Sequence, residues 1–160
     1  KTLEAFMVNY IKGAKKSKRE NRMIFNHLCI RTDDIDAAEK LMEESFGITG
    51  FLRPGGDLFD GEKELSVAWL NAEVYLEFSQ PEKPQELGFD TGCGQPIGHL
   101  SEIGFFVPDM DKALEHLGPL GWKVTNAIEA HGARMCKIDQ EPAFGVPVEL
   151  IDIDLDESDY

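Results

Sequence analysis

At 160 residues the chain is the length of one domain with a sizeable core, and its 42% hydrophobic and 29% charged residues are ordinary for a soluble globular protein. A net charge of −14 argues against nucleic acid as the main partner, because phosphate binding needs a basic face. No apolar run reaches the ~20 residues that span a bilayer, and the N-terminus lacks the apolar stretch and small-residue cleavage site of a signal peptide. A cytoplasmic chain without a membrane partner is therefore expected.

The acid is unevenly spread. Residues 1–22 hold seven Lys/Arg and two Glu, about +5, so the remainder carries about −19. Leu3, Phe6, Met7, Tyr10 and Ile11 fall on one face of a helix. The segment reads as a basic helical extension, either packed on a protein surface or lying on a membrane or partner. The three cysteines (Cys29, Cys93, Cys136) show no CxxC spacing, which reads as thiols in a reducing compartment.

An internal repeat follows, at an offset near 75. His27 to Ala38 aligns with Glu102 to Ala113: a short strand, a turn with Asp at the helix cap, and an amphipathic helix. Gly47 and Gly118 are placed to stop the two helices. Strand patterns come next, at 51–53, 65–70 and 74–78 in the first copy and at 122–124, 134–138 and 146–153 in the second. The predicted organisation is an N-terminal extension (1–22), a first βαβββ module (23–80), a Pro- and Gly-containing linker (81–98), a second βαβββ module (99–154) and an acidic tail (155–160). The fold class is α+β, a mixed sheet curved around a central cavity.

The repeat singles out four polar residues amid apolar strand neighbours. His27 and Glu102 lie on the two first strands, Glu77 and Glu149 on the two last. Side chains alternate along a strand, so Glu77 points away from Leu76 and Phe78, and Glu149 away from Val148 and Leu150. If the modules pair about a pseudo-twofold axis, these four converge. One imidazole and three carboxylates suit a divalent cation, whose charge offsets the cost of burying them.

The segments NHLCIRTDDIDAAEKL, VAWLNAEVYLEFSQP, EIGFFVPDMDKALEHLGPLGWKV and GVPVELID, spanning 25 to about 153, resemble the vicinal-oxygen-chelate superfamily of glyoxalase I, methylmalonyl-CoA epimerase, extradiol dioxygenases and bleomycin-resistance proteins. The likeness is nearest to methylmalonyl-CoA epimerases. The resemblance implies metal ligands at His27, Glu77, Glu102 and Glu149, with His99 as the alternative to Glu102, since the family usually carries His at the third ligand. An oxygen-rich set favours Mn²⁺, Mg²⁺ or Co²⁺ over Zn²⁺, with Fe(II) also open. The implied activity is epimerisation or racemisation by removal of a proton next to a carbonyl, on a CoA thioester or an aromatic ketone, through a metal-stabilised enolate. Glu149 and Glu62 would be the two bases. A glyoxalase I-like lyase or isomerase and a non-catalytic small-molecule-binding protein stay open as alternatives. The resemblance also implies a homodimer.

Overall fold

The structure is a computed structural model, and it describes residues 3–54, 62–81, 100–130, 132–140 and 145–155. In chain order the elements are α1 (Leu3–Glu20), β1 (Ile24–Arg31), α2 (Ile35–Phe46), β2 (Glu62–Trp69), β3 (Tyr75–Pro81), β4 (Leu100–Phe106), α3 (Met110–Leu117), β5 (Lys123–Ala130), β6 (Ala133–Asp139) and β7 (Val148–Ile153). The strands form one mixed sheet in the order β2-β3-β1-β4-β7-β6-β5. No helix among the described residues is long and apolar enough to cross a membrane.

The repeat is visible in the pairing. β1 and β4 lie antiparallel at the centre, and each pairs on its other side with the last strand of its own module in parallel, β1 with β3 and β4 with β7. Across the seam His27 faces Gly104 and Cys29 faces Glu102. Because Glu102 is the counterpart of His27 and Gly104 that of Cys29, exchanging the modules maps this pairing onto itself. The second module is a complete βαβββ unit. In the first, the strand predicted at 51–53 is only a single bridge, Leu52 to Val67.

Both module helices start as the sequence indicates. Asp34 and Asp109, in extended backbone, accept hydrogen bonds from Ala37 N and Lys112 N. Gly47 ends α2 in the left-handed region. Gly118 does not end its helix that way: the chain runs on into a 3-10 turn over Gly118–Leu120 and reverses at Gly121. Pro147, which has no N–H for a ladder, immediately precedes β7, so that strand starts later than predicted.

Alternation then sorts the side chains into two faces. On one face, Leu28, Ile30, Leu76 and Phe78 pack against Ile35, Ala38 and Met42 of α2. On the same face, Ile103, Phe105, Val148 and Leu150 pack against Met110, Ala113 and Leu114 of α3. The other face carries His27, Glu77, Glu102 and Glu149, and α1 crosses part of it.

The packing face of α1 keeps Phe6 and Tyr10 of the predicted stripe but continues through Ala14 and Ser17, leaving Met7 outside it. Phe6, Ala14 and Ser17 are buried, whereas Met7 is 41% exposed. Tyr10 packs edge-on to Phe106, and Phe6 packs against Trp69 and Tyr75. Small residues let the helix axis approach the sheet. Ser17 Oγ donates to the Phe106 carbonyl (3.2 Å), and a Cβ at Gly13 would stand 2.6 Å from Phe106 Cε2. The basic half meets the acidic domain through Lys18–Asp152 (2.7 Å) and Lys16–Glu73 (2.5 Å). Gly13→Val is expected to destabilise the chain by about 1–3 kcal/mol, the usual cost of overpacking, read as a lower urea midpoint at unchanged slope.

A His-carboxylate cluster on the sheet

Two rows of residues run across the strands. The first is Tyr75–His27–Gly104–Glu149–Lys137, each adjacent pair in register. The second is Glu77–Cys29–Glu102. His27 Nε2 stands 3.7 Å from Glu102 Oε1 and 3.6 Å from Glu149 Oε2. All three residues are buried. Both separations exceed hydrogen-bond length, and Nε2 has no hydrogen-bond partner among the described residues.

This geometry fits a cation. Donors about 2.0–2.2 Å from a metal ion stand roughly 3–3.6 Å from one another. A buried imidazole nitrogen with no hydrogen-bond partner among the described residues, facing two carboxylate oxygens, is an arrangement that could hold a metal ion. Cys29, Glu77 and Glu102 make a second group whose donor atoms lie within 4.8 Å of one another, the same limit the first group meets.

The imidazole is held on three sides. A bulge in β1 between Phe25 and His27 brings Asn26 beside the ring, and Nδ1–H donates to Asn26 Oδ1 at 2.5 Å. In the neutral imidazole that bond places the proton on Nδ1 and leaves Nε2, which faces the carboxylates, able to act as a ligand. Tyr75 stacks on one face of the ring, centroids 4.8 Å apart and planes at 16°. The backbone of Gly104 closes in on the ring, for a Cβ there would overlap His27 Cε1 and Nδ1 and press on Asn26 Oδ1 at 2.7 Å.

The carboxyl groups differ in character. Burial, reinforced by the Glu102 charge, pushes Glu149 up to about 7 in the metal-free chain. Burial and Glu102 also raise Glu77. Burial would raise Glu102 too, but the Lys137 ammonium 2.9 Å from Oε2, together with His27, outweighs it and holds Glu102 at about 2. For His27, burial works against the charged form, yet the surrounding carboxylates prevail and raise its pKa.

These shifts set a pH dependence for the metal-free chain. Glu149, Glu77 and His27 all bind protons more tightly folded than unfolded. Their contribution is complete below the unfolded values, 4.5 for Glu and 6.5 for His, and is lost as pH rises through the folded ones. Glu102 acts oppositely, but only below pH 4.5. Stability of the metal-free chain is expected to fall from pH 5 to pH 8, with Glu149 a principal contributor. A divalent cation needs the deprotonated ligands, so it should raise Tm more at pH 8 than at pH 6. Calorimetry with and without Mn²⁺ checks both.

Of the residues named from sequence, His27, Glu102 and Glu149 meet at one point, and Glu77 lies across Cys29 from Glu102 in the second row. Glu62 begins β2, paired with Pro81, and its side chain lies outside the described residues, as does His99. The sequence reading left out Asn26, Tyr75 and Gly104. Tyr75 and Gly104 sit in register with His27, so the strand alignment already contained them; the β1 bulge that turns Asn26 inward left no signal.

A duplicated βαβββ sheet with a His-and-carboxylate cluster at the junction of its halves defines the vicinal-oxygen-chelate class of proteins. The chain belongs to the Glyoxalase/Bleomycin resistance protein/Dioxygenase superfamily, whose sequence profile matches residues 26–139. Among solved structures it is similar to a methylmalonyl-CoA epimerase in complex with methylmalonyl-CoA and NH4+, at 18% identity and TM-score 0.63 over 81% of this chain and 93% of that one. A Streptomyces coelicolor methylmalonyl-CoA epimerase variant in complex with 2-nitronate-propionyl-CoA matches at 17% identity and TM-score 0.64, covering 82% and 97%. The methylmalonyl-CoA epimerase from Mycobacterium tuberculosis matches at 17% and 0.60, covering 81% and 87%. These likenesses concern the fold. No curated protein matches significantly in sequence.

Proposed function

We propose that the chain is a divalent-metal-dependent epimerase that removes and returns a proton next to a carbonyl, with a CoA thioester as substrate. The observation that carries this reading is the convergence of Glu102 and Glu149 on the unpartnered Nε2 of buried His27. His27, Glu102 and Glu149 would hold the cation, with Glu77 adjacent. Such an ion, Mn²⁺, Mg²⁺ or Co²⁺ by the oxygen-rich donor set, supplies Lewis-acid stabilisation of the charge that develops on a substrate oxygen. The structural relatives bound to CoA esters support the choice of a thioester.

The carboxylates divide the remaining work. Burial raises Glu149 well above an ordinary carboxylate in the metal-free chain, which makes it the candidate to take a proton and give it back. Glu102 stays ionised at any physiological pH and serves to bind and orient. Tyr75 and Asn26 keep the imidazole in place, and Tyr10 of α1, packed against Tyr75 and Phe106, helps close off water at one end of the cluster. Epimerisation needs a second acid on the opposite side of the planar intermediate, and Glu62 at the start of β2 is the candidate. A glyoxalase-type isomerase, which can work with a single base such as Glu149, is the second reading.

The test is incubation of the Mn²⁺-loaded chain with methylmalonyl-CoA in D₂O. Deuterium at the carbon between the carbonyls, with scrambling of its configuration, is the expected result. Stoichiometric metal with no exchange would instead mark a binding protein.

A further inference from the structure

Two cation-sized positions lie side by side on this face of the sheet, one among His27, Glu102 and Glu149, the other among Cys29, Glu77 and Glu102. Glu102 belongs to both, and its oxygens are already divided. Oε1 faces His27, while Oε2 accepts a hydrogen bond from Lys137 Nζ at 2.9 Å. Lys137 begins in the first row, opposite Glu149, and its four-carbon stem carries the ammonium across to Glu102 of the second. It is buried, and its charge is felt by Glu77 as well as by Glu102 and Glu149. An ammonium is costly to bury unless carboxylates surround it.

We propose that Lys137 is a built-in cation that fills the second position and thereby sets the site to hold one divalent ion, at His27, Glu102 and Glu149. This rests on the metal-site reading above. Lys137 is a positioning residue: it engages one oxygen of Glu102 and leaves the other directed at the imidazole. The charge count agrees. Once metal binding has deprotonated Glu77, Glu102 and Glu149 and left His27 neutral, the Lys137 ammonium beside Glu102 leaves two negative charges, which one divalent ion cancels. With Lys137 made neutral, three negative charges remain, which suit a trivalent ion or a second cation.

The experiment is equilibrium dialysis of the purified chain against Mn²⁺ and, separately, Tb³⁺, with metal analysis of wild type, Lys137→Met, Lys137→Gln and Lys137→Arg. Wild type is expected to take one Mn²⁺ per chain. Both neutral variants should shift preference toward Tb³⁺ over Mn²⁺ by at least tenfold, or take a second Mn²⁺, while Lys137→Arg follows wild type. Neutral variants that bind Mn²⁺ with wild-type stoichiometry and preference overturn the role given to Lys137 and leave the metal site standing. No Mn²⁺ in wild type ends the metal-site reading. If Lys137→Met then acquires Mn²⁺, the lysine is a built-in cation that blocks metal; if it does not, both ideas fall. Should the neutral variants not fold, Lys137→Arg decides: unchanged preference supports a role for charge, and a shift toward Tb³⁺ overturns it.

Discussion

Glu149→Gln is expected to lower deuterium exchange into methylmalonyl-CoA by about 10²–10⁴-fold at saturating Mn²⁺, the range lost with a general base. The amide keeps an oxygen where the carboxylate stood but can no longer take a proton. Glu102→Gln is the informative companion. Its carboxylate is held low by the Lys137 ammonium, which engages one of its oxygens, and is the weaker base of the two. That variant should lose metal affinity, yet recover most of its exchange rate once metal is supplied in excess. Equal loss of exchange in both variants under saturating metal would remove Glu149 from the role of base. The comparison works because the environments of two neighbouring carboxyls separate their acidities.

Gly104→Ala should cost metal binding at least tenfold and stability about 1–3 kcal/mol. The added methyl has nowhere to go. On one side is the His27 ring, which Tyr75 backs, and next to it is Asn26 Oδ1. The ring must swing away, and its Nε2 then no longer faces Glu102 and Glu149. Isothermal titration with Mn²⁺ and urea denaturation on the same sample read the two effects. Wild-type metal affinity in this variant would mean that the position of the imidazole is not what holds the ion.

Much of this arrangement is legible before any coordinates. The offset of 75 aligns His27 with Glu102, one of 72 aligns Glu77 with Glu149, and period-two alternation turns Glu77 and Glu149 away from the helices. What the sequence hides is whatever depends on neighbours from other strands. From sequence Lys137 reads either as a lysine for a substrate anion or as one on a solvated face; only with β6 set beside β7 does its ammonium reach Glu102. The seating of α1 is hidden for another reason. Its apolar periodicity in residues 3–11 is real, but Gly13, Ala14 and Ser17 decide how closely the axis approaches, and small residues weigh little in a hydrophobicity pattern. The short strand at 51–53 has the right composition but retains one bridge, because pairing rather than propensity sustains a strand.

His27 comes from the first module, Glu102 and Glu149 from the second, and they meet only where β1 lies against β4. Neither half of the polypeptide can assemble the donor set by itself. The cluster is therefore absent from any partly folded form in which the halves have yet to dock. If the proposed ion binds there, its uptake followed in real time during refolding would record the docking of the halves, not the formation of either one.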